Sequence, residues 1–257
     1  MNRIEKHLKE LISQGRKAFI PYIMAGYPDI ETTVKVFAML EDVGADVVEL
    51  GVPFSDPLAD GPVIQEAADG AIKNGVTLKR VLSLMKELRK SHRVPVVLMT
   101  YYNPVYKYGL SRFFRDASKA GVDGLIVPDL PPDEADELIE FSRRHHMATI
   151  FLAAPTSTDE RIRLVAENST GFVYYVSLTG ITGSRLEITR QMERMIKKIK
   201  RYTHTPVCVG FGVKKPEQAR RIADIADGVI VGSSIVKMMD GDLKSLKRYI
   251  ESLRRAI

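Results

Sequence analysis

The chain has 257 residues, of which 45% are hydrophobic, so it can bury a sizeable core. Its net charge is +6, from 38 Lys and Arg against 32 Asp and Glu. The basic residues are interleaved with apolar ones at helical spacing, as in "KRVLSLMKELRKSHR" and "ERMIKKIKRY", which reads as solvated helix faces and not as a nucleic-acid footprint. One cysteine excludes an intramolecular disulfide and a cysteine-based metal cluster, and no histidine spacing matches a metal motif. No apolar run approaches membrane-span length, so no membrane association is expected.

The chain opens with "MNRIEKHLKELISQG", an amphipathic helix carrying both acids and bases and not a signal peptide; the expected location is the cytoplasm. Strand candidates then follow in order: "AFIPYIMAG" (18–26), "ADVVELG" (45–51), "VPVVLMTY" (94–101), "DGLIVPDL" (123–130), "ATIFLAAP" (148–155), "GFVYYVSL" (171–178), "PVCVGFG" (206–212) and "DGVIVGS" (227–233). Most are continuous apolar runs, as in strands buried on both faces. Helical patterns separate them. "DIETTVKVFAMLEDVGA" opens on an Asp cap, and "PPDEADELIEFSRRHH" has acids in its first turn and bases in its last. "STDERIRLVAENST" and "KKPEQARRIADIA" have the same form, and "DGPVIQEAADGAIKNG" is an extra helix. Eight strands, each followed by helix, with no break in composition, predict one domain over residues 1–257: a closed (β/α)8 barrel of the TIM type. The N-terminal helix caps its bottom. Cys208, within "PVCVGFG", reads as a small core residue.

A barrel of this kind places its chemistry at the C-terminal ends of the strands. Glycines cluster there in the last third, in "TGITGS", "GFG" and "GSS". Glycine lets backbone N–H groups approach phosphate oxygens, and a helix start adds a favourable dipole. Gly212, Gly232 and Ser233 are therefore candidates for a phosphate site, against the plainer account that they are strand-end turns.

The segment "VVELGVPFSDPLADGP", residues 47–62, sets Glu49 in an apolar run with no base nearby in sequence. Burial there favours its neutral form, so Glu49 can donate a proton near neutral pH. Asp60 follows in the next loop, where an ordinary helix N-cap would also explain it. Two carboxyls in contrasting surroundings fit general acid–base work.

The segments "ELGVPFSDPLADGP", "PYIMAGYPD", "LMTYYNP", "GVDGLIVPDLP", "FLAAPTS", "YYVSLTGITG", "GFGV" and "VIVGSSIVK" together resemble the tryptophan synthase alpha chain family, in the family's order and over essentially the whole chain. The resemblance implies cleavage of indole-3-glycerol phosphate to indole and glyceraldehyde 3-phosphate, with Glu49 as acid and base and Asp60 accepting from the indole N–H. It also implies that Tyr22, Met99, Ile126, Leu152 and Phe211 line the indole pocket, that Tyr174 stands near the acid, and that Thr182 and Gly183 lie in a closing loop. Gly212, Gly232 and Ser233 match the phosphate clamp. The family works with a beta chain that carries pyridoxal phosphate (PLP), in an alpha2-beta2 tetramer, and no cofactor is expected on this chain. Pro53, Asp56 and Pro57, on a loop expected to be exposed, match the docking surface, as does "YYNPVY". Two rival readings stand beside this one: another phosphate-sugar barrel enzyme, and a catalytically silent activator of a beta chain.

Overall fold

The computed structural model describes residues 1–176, 190–210 and 212–257. Its strands are β1 (Ala18–Met24), β2 (Val48–Gly51), β3 (Val96–Met99), β4 (Gly124–Ile126), β5 (Ala148–Ile150), β6 (Leu152–Ala153), β7 (Val173–Val176), β8 (Val207–Gly210) and β9 (Gly228–Val231). Every pairing is parallel, in the order β5-β4-β3-β2-β1-β9-β8-β7-β6. The two ends of that order are separated in the chain by Phe151 alone, so the sheet curls round to meet itself as a barrel. The predicted fifth strand is thus one wall position that changes partner: Ala148–Ile150 pairs with β4, while Leu152 and Ala153 pair with β7.

The helices are α1 (Arg3–Ser13), α2 (Ile30–Val43), α3 (Pro62–Lys73), α4 (Leu78–Ser91), α5 (Tyr102–Tyr108), α6 (Leu110–Lys119), α7 (Asp136–Arg144), α8 (Asp159–Asn168), α9 (Arg190–Tyr202), α10 (Pro216–Ala223), α11 (Ser233–Met238) and α12 (Leu243–Ala256). α2 begins as its sequence predicts: Asp29 accepts from the Thr32 N–H at 2.7 Å, and the helix ends on Gly44 at φ +88°. The segment "PPDEADELIEFSRRHH" is not one helix. Pro132–Glu134 form a 3-10 turn, the chain turns at Ala135, and α7 starts afresh. The helix expected after the third strand is two, α5 and α6, divided at Gly109, with Leu110, Phe113, Phe114 and Ala117 forming the buried stripe of α6.

Alternation along the strands sorts the core into two layers. Ile20, Val47, Val97, Ile126, Ile150, Phe172, Tyr174, Cys208 and Ile230 form an inner cluster with Ile4, Leu8 and Leu11 of α1. Their neighbours Phe19, Val48, Leu50, Val96, Leu98 and Leu125 join the outer cluster with the helices. The N-terminal helix therefore stoppers the bottom of the barrel, as predicted. Room for it comes from Gly124, where a Cβ would lie 2.9 Å from Ile4 Cδ1.

At the same end, four reciprocal clamps recur. The N–H of Asp46 donates to Phe19 O at 2.9 Å, and the Phe19 N–H donates to Asp46 Oδ2 at 2.9 Å. Asp123 makes the same exchange with Val96, and Asp227 with Val207. Thr170 makes it with Thr149 through its hydroxyl. Each carboxylate also meets a cation: Arg254 at 3.3 Å from Asp46, Arg89 at 2.6 Å from Asp123 and Lys200 at 2.7 Å from Asp227.

Candidate active site

Period-2 alternation turns Glu49 inward, two residues after Val47 of the inner cluster. It is 1% exposed, and among the described residues neither carboxyl oxygen has a hydrogen-bond partner. Its register partners are Tyr22 on β1 and Val97 on β3. Burial first, and the nearby charge of Asp60 second, push its pKa up to about 8. At neutral pH the group is an acid holding its proton.

Asp60 lies in the loop between β2 and α3. Tyr101, just beyond β3, donates its hydroxyl to Asp60 Oδ2 at 3.0 Å and accepts the Ala59 N–H at 3.0 Å. Its ring centroid stands 5.2 Å from that of Phe54. Burial raises Asp60 to about 6, against the lowering effect of the Tyr101 hydrogen bond. The helix-cap account of Asp60 does not hold: α3 is capped by Gly61 with no side-chain bond. The two carboxyls are thus poised in opposite states near pH 7, Glu49 neutral and Asp60 charged.

Two phenols complete the upper layer. A Cβ on Gly51 would lie 2.1 Å from Tyr22 Oη, and one on Gly210 would lie 2.4 Å from Tyr174 Oη. Each tyrosine lies over a glycine at a strand tip. Nearby, Ser234 Oγ donates to Val213 O at 2.9 Å, tying the turn after β9 to the turn after β8. Gly212 takes φ +74°, and Gly232 and Ser233 open α11, all partly exposed.

A partnerless buried carboxyl has a stability cost with a defined sign. Glu49 rises from 4.5 to about 8 on folding. Below pH 4.5 both states hold the proton and no cost arises. As pH climbs through that window the unfolded chain releases the proton first, so stability falls. Glu49→Gln should therefore match the wild type near pH 5 and exceed it at pH 9, by roughly 2–4 kcal/mol. Urea unfolding at both pH values checks this; a difference that does not grow with pH refutes it.

The family model for the tryptophan synthase alpha chain matches residues 8–256. The chain belongs to the tryptophan synthase alpha chain family. A curated alpha chain from Caldanaerobacter subterraneus subsp. tengcongensis is 43% identical over 263 residues, with 100% of each chain covered. One from Geotalea uraniireducens is 48% identical over 240 residues, covering 93% of this chain and 90% of the relative. The crystal structure of tryptophan synthase subunit alpha from Legionella pneumophila superposes with a TM-score of 0.92 at 39% identity, covering 100% of this chain and 98% of that one. The barrel is the alpha-chain barrel, and the chain is a lyase of tryptophan biosynthesis.

In this alpha chain, Tyr22, Glu49 and Tyr174 come together near the upper end of the barrel, where Asp60 and the unforeseen Tyr101 meet them electrostatically. Ile126 is fully buried, while Met99 and Leu152 are partly buried at the border of the inner cluster. Thr182, Gly183 and Phe211 lie outside the described residues. Asp56 is exposed and Pro57 partly so, but Pro53 is buried, contrary to the expectation of an exposed loop. The Val52 N–H still bonds Met99 O at 2.8 Å, so the chain keeps to the wall of the barrel until Pro53. Leu58, 83% exposed, stands out instead. Cys208 belongs to the inner core, where burial pushes its thiol pKa up. Among the described residues, no helix is long and apolar enough to cross a membrane, and no cluster of His, Cys, Asp or Glu could hold a metal ion.

Proposed function

We propose that the chain cleaves indole-3-glycerol phosphate by a retro-aldol step with Glu49 and Asp60 as its catalytic pair. The observation that carries this reading is the Glu49 carboxyl, inward, buried and without a partner among the described residues, with its pKa raised to about 8. Neutral Glu49 protonates C3 of the indole ring, which becomes an electron sink. The Glu49 carboxylate then takes the proton of the side-chain hydroxyl next to C3. That hydroxyl becomes the aldehyde carbonyl, the carbon–carbon bond breaks, and its electron pair returns to the ring as indole leaves. Asp60, ionised at neutral pH, accepts from the indole N–H and stabilises the positive charge on the protonated ring. Tyr22, Met99, Ile126, Leu152 and Phe211 enclose the indole, Tyr174 stands near Glu49, and Gly212, Gly232 and Ser233 receive the phosphate, while Gly183 belongs with Thr182 to the closing loop. Thr182 closes over Asp60.

The partner in this reading is a beta chain, in an alpha2-beta2 tetramer in the cytoplasm, and PLP belongs to that chain. Buried Pro53 shapes the docking loop from within. Asp56, Pro57 and the exposed side chains of Leu58 and Tyr106 meet the partner.

Indole release from indole-3-glycerol phosphate tests the proposal. The lone chain should turn over slowly, and a matching beta chain should raise kcat at least about tenfold, or roughly 1.4 kcal/mol of barrier. No indole release in either state overturns the reading. Equal rates in both would make the chain a free-standing lyase.

A further inference from the structure

We infer that Tyr22 is a positioning residue for Glu49: its hydroxyl gives the Glu49 carboxylate the hydrogen bond it otherwise lacks once the proton has passed to substrate. The inference rests on the acid–base reading of Glu49 above. Tyr22 and Glu49 are register partners on adjacent strands, and both follow inner-cluster residues, Ile20 and Val47, by two positions. The two side chains therefore stand side by side inside the barrel. The Tyr22 ring leans up over Gly51, which follows Glu49 by two positions and so shares its inward face. There the phenol oxygen takes the space a Cβ would need.

Tyr22 is 5% exposed, and its hydroxyl has no partner among the described residues. Both Glu49 oxygens are also without partners among the described residues. A hydroxyl that no described residue bonds thus stands beside a buried carboxyl that no described residue bonds. A neutral carboxyl gains little from such a donor, whereas a carboxylate gains much more.

The other titratable groups around this pair are Asp60 on the loop after β2, Tyr101 after β3 and Tyr174 on β7, with Cys208 beside Tyr174. None is a cation. Tyr101 is committed to Asp60 and Ala59. Tyr174 rises from the opposite wall, over Gly210. Thr100, just past β3, also has a hydroxyl without a bond, but it lies two residues after Leu98 of the outer cluster and so faces away from Glu49; on β1, Tyr22 is the unbonded donor that shares Glu49's inward face. Burial and the two carboxylates raise its own pKa, so its proton stays in place and only the hydrogen bond changes. The proton that leaves Glu49 goes to the indole C3, and the one that returns comes from the substrate hydroxyl.

Tyr22→Phe in the full chain tests this. We expect kcat for indole release to fall about tenfold with KM within about twofold. The high-pH limb of kcat/KM should move up by about one pH unit, because the lost donor favoured ionised Glu49. A second readout needs no turnover: the carboxyl infrared band that vanishes in Glu49→Gln should titrate about one pH unit higher in Tyr22→Phe. If that titration does not move, the inference is overturned, even if activity falls, because Tyr22 then only fills space. Wild-type indole release would in that case leave the acid–base reading standing. A moved titration in a chain that releases no indole would keep the Tyr22–Glu49 contact and remove the reaction.

Discussion

Glu49→Gln should lower kcat for indole release by at least about a thousandfold while substrate still binds. Glutamine matches glutamate in shape, so the pocket keeps its form. Its amide cannot give a proton to a ring carbon or take one from an alcohol at neutral pH. Both proton transfers are lost together, which is why the effect should exceed that of any other single change. The wild type should also show a bell-shaped kcat/KM profile. Activity should fall at high pH as Glu49 ionises, from about 8, and at low pH as Asp60 gains its proton, from about 6. The two groups influence each other, so the measured limbs belong to the pair. Single-turnover kinetics and substrate binding by calorimetry would separate chemistry from affinity. Normal turnover in Glu49→Gln removes the assignment.

Asp60→Asn should cost about a hundredfold in kcat. Asparagine can still accept the Tyr101 hydroxyl, so the tie from β3 to the loop should survive. α3 should be undisturbed, since Gly61 caps it. The missing element is the negative charge opposite the protonated ring. The low-pH limb of the profile should vanish with it. An Asp60→Asn chain with near-normal turnover, or a low-pH limb that persists, would show that the charge is not used. Comparing its far-UV circular dichroism and thermal unfolding with the wild type would confirm that the helix is intact.

Glu49 was legible in the sequence because a carboxyl within Val47, Val48, Leu50 and Val52 violates the local pattern. The barrel was legible because buried parallel strands read as continuous apolar runs, and α1 as an amphipathic stopper. Tyr101 was hidden for the opposite reason. A tyrosine at the end of an apolar run breaks no rule, and its value comes from Asp60, 41 residues earlier in the chain. Pro53 is buried although its loop was expected to be exposed, because the ladder from β3 holds the chain one residue past the strand. The change of partner at Phe151 is a property of barrel closure, which no local window contains. The halves of Tyr22 also part company here: its ring was legible as pocket lining, but its hydroxyl acquires meaning only from the register with Glu49 and the bare Cα of Gly51.

The four clamps at the floor of the barrel have a consequence for how such a protein can change over generations. Each fastens one strand to the next at the end remote from Glu49 and Asp60, and the carboxylate ones are sealed by cations borne on surrounding helices. Mutations in the upper loops leave these fastenings alone. A lineage can therefore try new residues around the mouth, even ones that abolish the present reaction, and still inherit a folded chain on which selection can act. Glu49 sharpens the point, for its loss should make the alkaline fold sturdier.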